Sequence, residues 1–179
     1  MSLTSPIPLA AEIGYFNRSD VRQTINIADE YTHPGFDAIT LSYDFKILKL
    51  NREATEPYVI IELNSDPNVP AMDKETLFVY GVGDNKQGVG VGSPPGFAVH
   101  GSQVDLYSNS ECEATRALSA SYKDSVYDWM LCAARGGPDL NFTATNACNG
   151  DGGGPLVAID FNNVESDDDV AVQVGVVSW

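Results

Sequence analysis

The chain has few basic residues, few cysteines, two histidines and no long apolar run. Ten Lys and Arg stand against 25 Asp and Glu, a net charge of −15 and a pI near 4.2. Such a chain repels the phosphates of nucleic acid and of anionic membranes, which excludes both as partners; its acidity serves solubility. No stretch reaches the roughly 18 apolar residues that a membrane span requires. Repeats, heptads and long helical periodicity are missing too. The opening MSLTSPIPLAAE has no basic start and no long apolar core, so it does not read as a signal peptide. If the protein is secreted, the address is expected outside this chain. The three cysteines, Cys112, Cys132 and Cys148, are an odd number, which points either to a free thiol or to a partner not among these residues.

What is present reads as a β protein. At 179 residues the chain can bury a real core. Short runs rich in Val, Ile, Tyr and Phe recur: RQTINIADEY, DFKILKL, PYVIIEL, ETLFVYGVG, SQVDLYS, GPLVAID and VAVQVGVVSW. These are the residues of half-buried pleated surfaces. Gly, Pro, Asn and Asp clusters separate them, which mark loops. One helix is expected, capped by Ser108 with Glu111 completing a capping box, and running on into CEATRAL. SYKDSVYDWML adds a turn or a short strand. Strands at this spacing build a sandwich or a barrel. Two sequons, at Asn17 and Asn141, permit N-glycosylation in a secretory compartment.

One loop is unusual. In ACNGDGGGPLV an aspartate, Asp151, precedes Gly152, Gly153, Gly154 and Pro155. Glycine takes positive φ without steric cost, but a sharp turn uses one or two such residues, and three exceed that need. CNGDGGGPL resembles the nucleophile loop of the chymotrypsin-like (trypsin-like) serine peptidases, C-x-G-D-S-G-G-P-L, matching at every fixed position except one. Gly152 stands where that family has its catalytic serine. HPGFDAITLSYDFKILKL resembles the segment carrying the triad acid, which falls on Asp44. LFVYGVGD is similar to V-x-G-W-G, with Val82 in place of the tryptophan. SNSECEAT and WMLCAARGG resemble the helix cysteine and the M-x-C-A-G strand, and VGVVSW resembles G-[IV]-V-S-W-G. Five motifs in family order form a specific signal.

The resemblance implies an all-β fold of two six-stranded antiparallel barrels, the first incomplete at its N-terminus and the second at its C-terminus. Residues 1–70 would form the later part of the first barrel and a linker, and residues 71–179 the second barrel, together one peptidase domain. It implies an oxyanion hole from the amides of Gly150 and Gly152, and an activation-loop role for Asp151, which in the family receives a new terminal ammonium. Without that group Asp151 is expected to stay solvated or to find another donor. The pocket floor would be Asn146, neutral where trypsins carry aspartate, with Ser178 and Trp179 as wall. Cys112 and Cys132 match a disulfide pair, and the partner of Cys148 would lie beyond residue 179.

A serine peptidase needs a hydroxyl, an imidazole and an orienting carboxylate. Of these the chain matches Asp44 alone. His33 belongs to the structural HP element, His100 precedes a strand, and the family's A-A-H-C block lies upstream of these residues. The leading expectation is a secreted, non-catalytic homologue that binds a protein or peptide, as decoy, inhibitor or cascade cofactor, with no cofactor and no metal. The rival is a fragment of a secreted serine-type endopeptidase. A third, an unrelated β-rich binding module, requires all five motifs to coincide by chance.

Overall fold

The computed structural model describes residues 10–14, 22–55, 60–71, 76–84, 98–114, 116–117, 120–121, 125–135, 147–160 and 170–178. They form eleven strands and one helix: β1 (Ala10–Ile13), β2 (Gln23–Thr32), β3 (Lys46–Leu50), β4 (Glu62–Leu63), β5 (Thr76–Gly81), β6 (His100–Tyr107), α1 (Asn109–Ala114), β7 (Arg116–Ala117), β8 (Ala120–Ser121), β9 (Cys132–Ala134), β10 (Pro155–Asp160) and β11 (Val170–Val176). The all-β expectation holds. The chain divides into two compact units: Met1–Ile60 with Phe97–Val99 and Ser178, and Ile61–Gly96 with His100–Val177 and Trp179.

The first unit carries the antiparallel sheet β1-β2-β3. A bulge between Ile27 and Asp29 shifts the β2–β3 register. Ile25 is its buried hydrophobic side chain, and Gln23 reaches across to Thr55, whose amide donates to Gln23 Oε1 at 2.8 Å. Two ion pairs cross the β2–β3 ladder, Lys46–Glu30 at 2.6 Å and Lys49–Asp29 at 3.6 Å.

The second unit carries a six-stranded sheet, order β4-β11-β10-β5-β6-β9, in which β4 joins β11 in parallel and the other pairings are antiparallel. Register explains its core. Leu77 lies opposite both Val104 and Ala158, and Val79 opposite both Ser102 and Leu156. The period of two therefore puts Leu77, Val79, Val104, Leu156 and Ala158 on one face, where they form the buried cluster. Val172, Val174 and Leu106 pack against it from the flanks. Each Leu or Val buried in this way contributes about 1.5–3 kcal/mol.

One expectation is corrected. The helix does not run through CEATRAL: α1 stops at Ala114, and Arg116–Ala117 pair with Ala120–Ser121 as a small ribbon. None of its residues is buried, so no apolar stripe rewards a longer helix. The capping box is present: Glu111 N donates to Ser108 Oγ at 3.3 Å, and Ser108 N donates to Glu111 Oε2 at 2.8 Å. Of PYVIIEL, residues 57–59 lie outside the described residues, among which strand is found at Glu62–Leu63. SYKDSVYDWML begins at Ser121, the last residue of β8, and carries a turn at Asp128–Trp129.

Candidate functional site

Residues 148–154 lead into β10, and hydrogen bonds fix most of the loop. Asp151 N donates to Cys148 O at 3.0 Å and Gly154 N to Asp151 O at 2.8 Å, which makes two successive turns. Gly153 N donates to Val177 O, and Val177 N to Gly154 O, both at 2.8 Å. Asp84 N donates to Asn149 O at 2.9 Å and ties the loop to the end of the β5 segment.

The Asp151 carboxylate is the hub. Its Oδ1 accepts from Gly83 N and its Oδ2 from Cys148 N, each at 2.7 Å. Charge-assisted bonds of this length are among the stronger ones in proteins. So the half-buried carboxylate has found backbone donors, one of the two outcomes its sequence allows. Two distant glycines admit it. A Cβ on Gly81 would collide with the carboxylate, and one on Gly83 would sit 2.6 Å from Asn149 O. A cavity of about 60 Å³ adjoins this hub, lined in part by Tyr80, Gly81, His100, Ala147 and Asp151. His100, read from sequence as a residue before a strand, is exposed at the start of β6 and borders this cavity. Nothing local in the sequence marks it, since the contact is made through the β5–β6 pairing of Gly81 with His100.

The glycines divide by cause. Gly150 has φ of 95° and Gly153 of 88°, conformations that side chains rarely adopt. A Cβ on Gly154 would collide with Tyr80 O. Gly152 is exposed and is not among the positive-φ glycines. The positive φ angles of this loop fall at Gly150 and Gly153 and not at Gly152.

Asp44 belongs to the first unit. Its Oδ2 accepts from Ser178 Oγ at 2.8 Å. The approach to it is a strained turn: Leu41 and Tyr43 have φ of 54° and 52°. Such residues cost of order 1 kcal/mol or more each, and persist where surrounding contacts fix them. Those contacts are visible. The His33 ring stacks on Tyr43 with centroids 4.7 Å apart and tilts against Phe45 at 4.8 Å, while its Nδ1 accepts from Gly35 N at 3.1 Å. Asp37 Oδ1 accepts from Ile39 N and Thr40 N at 2.7 and 3.1 Å, which holds its carboxyl below the usual range. His33 is thus packed as part of the turn.

Cys112 and Cys132 form a disulfide, and Cys148 is free and exposed. The pocket residues Asn146 and Trp179 and the sequons at Asn17 and Asn141 lie outside the described residues. Among the described residues no three His, Cys, Asp or Glu cluster as metal ligands, and no helix is long and apolar enough to cross a membrane.

A family model described as Trypsin matches residues 11–179. The chain is 29% identical over 177 residues to trypsin delta of Drosophila erecta, covering 98% of this chain and 59% of that protein. It is 31% identical over 159 residues to a tryptase of Mus musculus, covering 87% and 52%. It is also 26% identical over 143 residues to glucanase inhibitor protein 4 of Phytophthora infestans, covering 80% and 49%. The chain therefore spans less than two thirds of these relatives' length.

Proposed function

The chain belongs to the trypsin family of serine peptidases, and we propose that it works as a non-catalytic member that binds a protein or peptide partner in the secretory space. Gly152 carries this reading. It occupies the position at which the family places its nucleophile, and it has no φ that requires glycine. A glycine offers no hydroxyl, so no acyl-enzyme forms at 152. Backbone donors survive the change, because the amides of Gly150 and Gly152 do not depend on a side chain. The Asp151 carboxylate ties that loop to Gly83 and to its own start at Cys148. The loop is left as a receptor for a peptide carbonyl. In this reading Asp44, whose Oδ2 accepts from Ser178 Oγ, is the remnant of the triad.

A relative named for inhibiting a glucanase supports a role by occupancy, and makes a glucanase the first partner to try. The test has two parts. A fluorophosphonate probe should leave the purified chain unlabelled, with no peptidase activity above buffer. The chain should form a saturable complex with a secreted hydrolase, read by calorimetry. Stoichiometric labelling or robust turnover overturns the non-catalytic reading. The second reading, a segment of a secreted endopeptidase, is favoured by the relatives named trypsin and tryptase, and peptidase activity is the result that would select it.

A further inference from the structure

The loop that leads into β10 holds the chain's one Asn-Gly pair, Asn149-Gly150. Asparagine before glycine is open to a reaction within the chain itself. The backbone nitrogen of the second residue attacks the side-chain carbonyl carbon of the first, and a glycine there adds no side chain to hinder it. The N–Cγ bond forms, the Cγ–NH2 bond breaks, and ammonia leaves with the proton that the backbone nitrogen gives up. The five-membered imide then takes up one water at either carbonyl. One product is aspartate. The other is isoaspartate, in which the backbone runs through the side chain and is longer by a methylene.

The reacting groups are unengaged. Asn149 is exposed, and among the described residues neither its side-chain amide nor the N–H of Gly150 holds a hydrogen bond. The neighbouring Asp-Gly pair, Asp151-Gly152, is the contrast. Its carboxylate accepts from the Gly83 and Cys148 amides at 2.7 Å each, which holds it off the nitrogen of Gly152.

The backbone around Asn149 nevertheless blocks the attack. Asp151 N donates to Cys148 O at 3.0 Å, Gly150 has φ of 95°, and Asn149 is not among the residues of positive φ. Residues 148–151 therefore form a type II turn, whose second residue has ψ of about +120°. At that angle the Gly150 nitrogen eclipses the α-hydrogen of Asn149, and Cβ stands about 120° away around the Cα–C bond. The imide ring needs Cβ beside that nitrogen, so the turn has to open before the ring can close. Three ties oppose the opening. They are the turn's own bond, the bond from Asp84 N to Asn149 O at 2.9 Å, and the Asp151 carboxylate, which fixes Cys148 N at the start of the turn.

We propose that Asn149 is a latent deamidation site, gated by the turn that the Asp151 carboxylate holds. The site does not rest on the reading of Gly152; its consequence for binding does. Conversion places a second carboxylate two residues from Asp151, and the imide has no N–H at position 150, so the loop loses one of the two amides offered to a peptide carbonyl. The test incubates the purified 179-residue chain in mildly alkaline buffer, native and in guanidinium chloride, and follows residue 149 by peptide mapping with mass spectrometry. Deamidation adds one mass unit, and isoaspartate is scored by its methylation with an isoaspartyl methyltransferase. Conversion at 149 is expected in both, at least about tenfold slower in the native chain, because a local opening precedes it. Asp151→Ala in native buffer should convert severalfold faster than the unaltered chain, with amide protection at Leu77 and Leu156 showing that the six-stranded sheet is still formed. No conversion at 149 in denaturant overturns the site. Equal rates in the native and denatured chain overturn the gate, and so does an Asp151→Ala rate no higher than that of the unaltered chain.

Discussion

The strands of the β1-β2-β3 sheet carry apolar side chains as those of the six-stranded sheet do, yet the two bury very different amounts. In the first, Ile25 is 1% exposed, while Tyr31, Ile47 and Leu48 stand 54%, 63% and 38% exposed on neighbouring strands. In the second, Leu77, Val79, Val104, Leu156 and Ala158 are all at 8% or below. Alternation decides which side of a strand a residue faces. Burial requires a second layer on that side. Apolar packing therefore stabilises the second sheet more than the first.

Deleting side-chain volume should expose this difference most strongly. Leu77→Ala should cost about 2–5 kcal/mol, the usual range for a buried leucine, read as a drop in the urea midpoint. Ile47→Ala, one of the exposed positions of β3, should stay within about 0.5 kcal/mol. Equal losses would mean that the two sheets are packed alike.

The disulfide comes next, because it belongs to the second unit alone. Cys112 and Cys132 are 20 residues apart, and closing a loop of that size stabilises by about 3 kcal/mol. The double alanine variant should lose that amount, with Cys148 alkylated before and after. Peptide mapping that found Cys148 in the native link would remove the assignment.

The Asp151 hub follows. In Asp151→Asn, whichever way the amide is turned, its NH2 group faces one of the two backbone donors, so one N–H loses its acceptor. A half-buried donor left unpaired costs about 1–3 kcal/mol. Exchange of the Gly83 and Cys148 amides should accelerate. Unchanged protection at both would show that the loop is held by its other bonds.

Within the loop itself the comparison narrows to adjacent residues. Gly153→Ser places a side chain at φ of 88° and should cost about 1–2 kcal/mol. Gly152→Ser should change stability by less than about 0.5 kcal/mol. A large cost at 152 would give that glycine a structural reason and weaken its use as a mark of lost catalysis.

Much of this could be read before any coordinates. Leu77 to Gly81, Val104 and Pro155 to Asp160 lie in strands because β-branched and aromatic residues alternate there, and Ser108 with Glu111 announces the helix start. The helix end was not legible, because the pairing of Arg116 with Ser121 competes with it and pairings leave no local mark. The loop 148–154 was legible as a motif but not as a mechanism. The donors that hold Asp151 include Gly83, 68 residues away, and the need for glycine at 81 and 83 is visible only once the carboxylate lies against them. His33 was readable as structural, whereas its stack on Tyr43 and the left-handed backbone of Tyr43 were not.

The smallest effect expected separates the two units by pH. Glu111 sits on the second unit with its carboxyl held below the usual value, first by the Ser108 hydroxyl and then by the Ser108 amide. A depressed folded pKa means that the ionised form is the one the fold prefers. Its contribution is therefore complete above the unfolded glutamate value and is lost as pH falls through the lower, folded one. Asp37 behaves in the same sense in the first unit, through Ile39 and Thr40 amides. Both groups are exposed, so each effect is small and screened by salt. Amide exchange can still resolve them by location. Between neutral and acid pH, after correction for intrinsic rates, protection should fall at Ser108, the cap of α1, and at Ile39 and Thr40 in the turn. Glu111→Gln should remove the pH dependence at Ser108 and leave that of Ile39 unchanged. If the single substitution flattened both profiles, the two carboxyls would be reporting one global acid transition rather than two local caps.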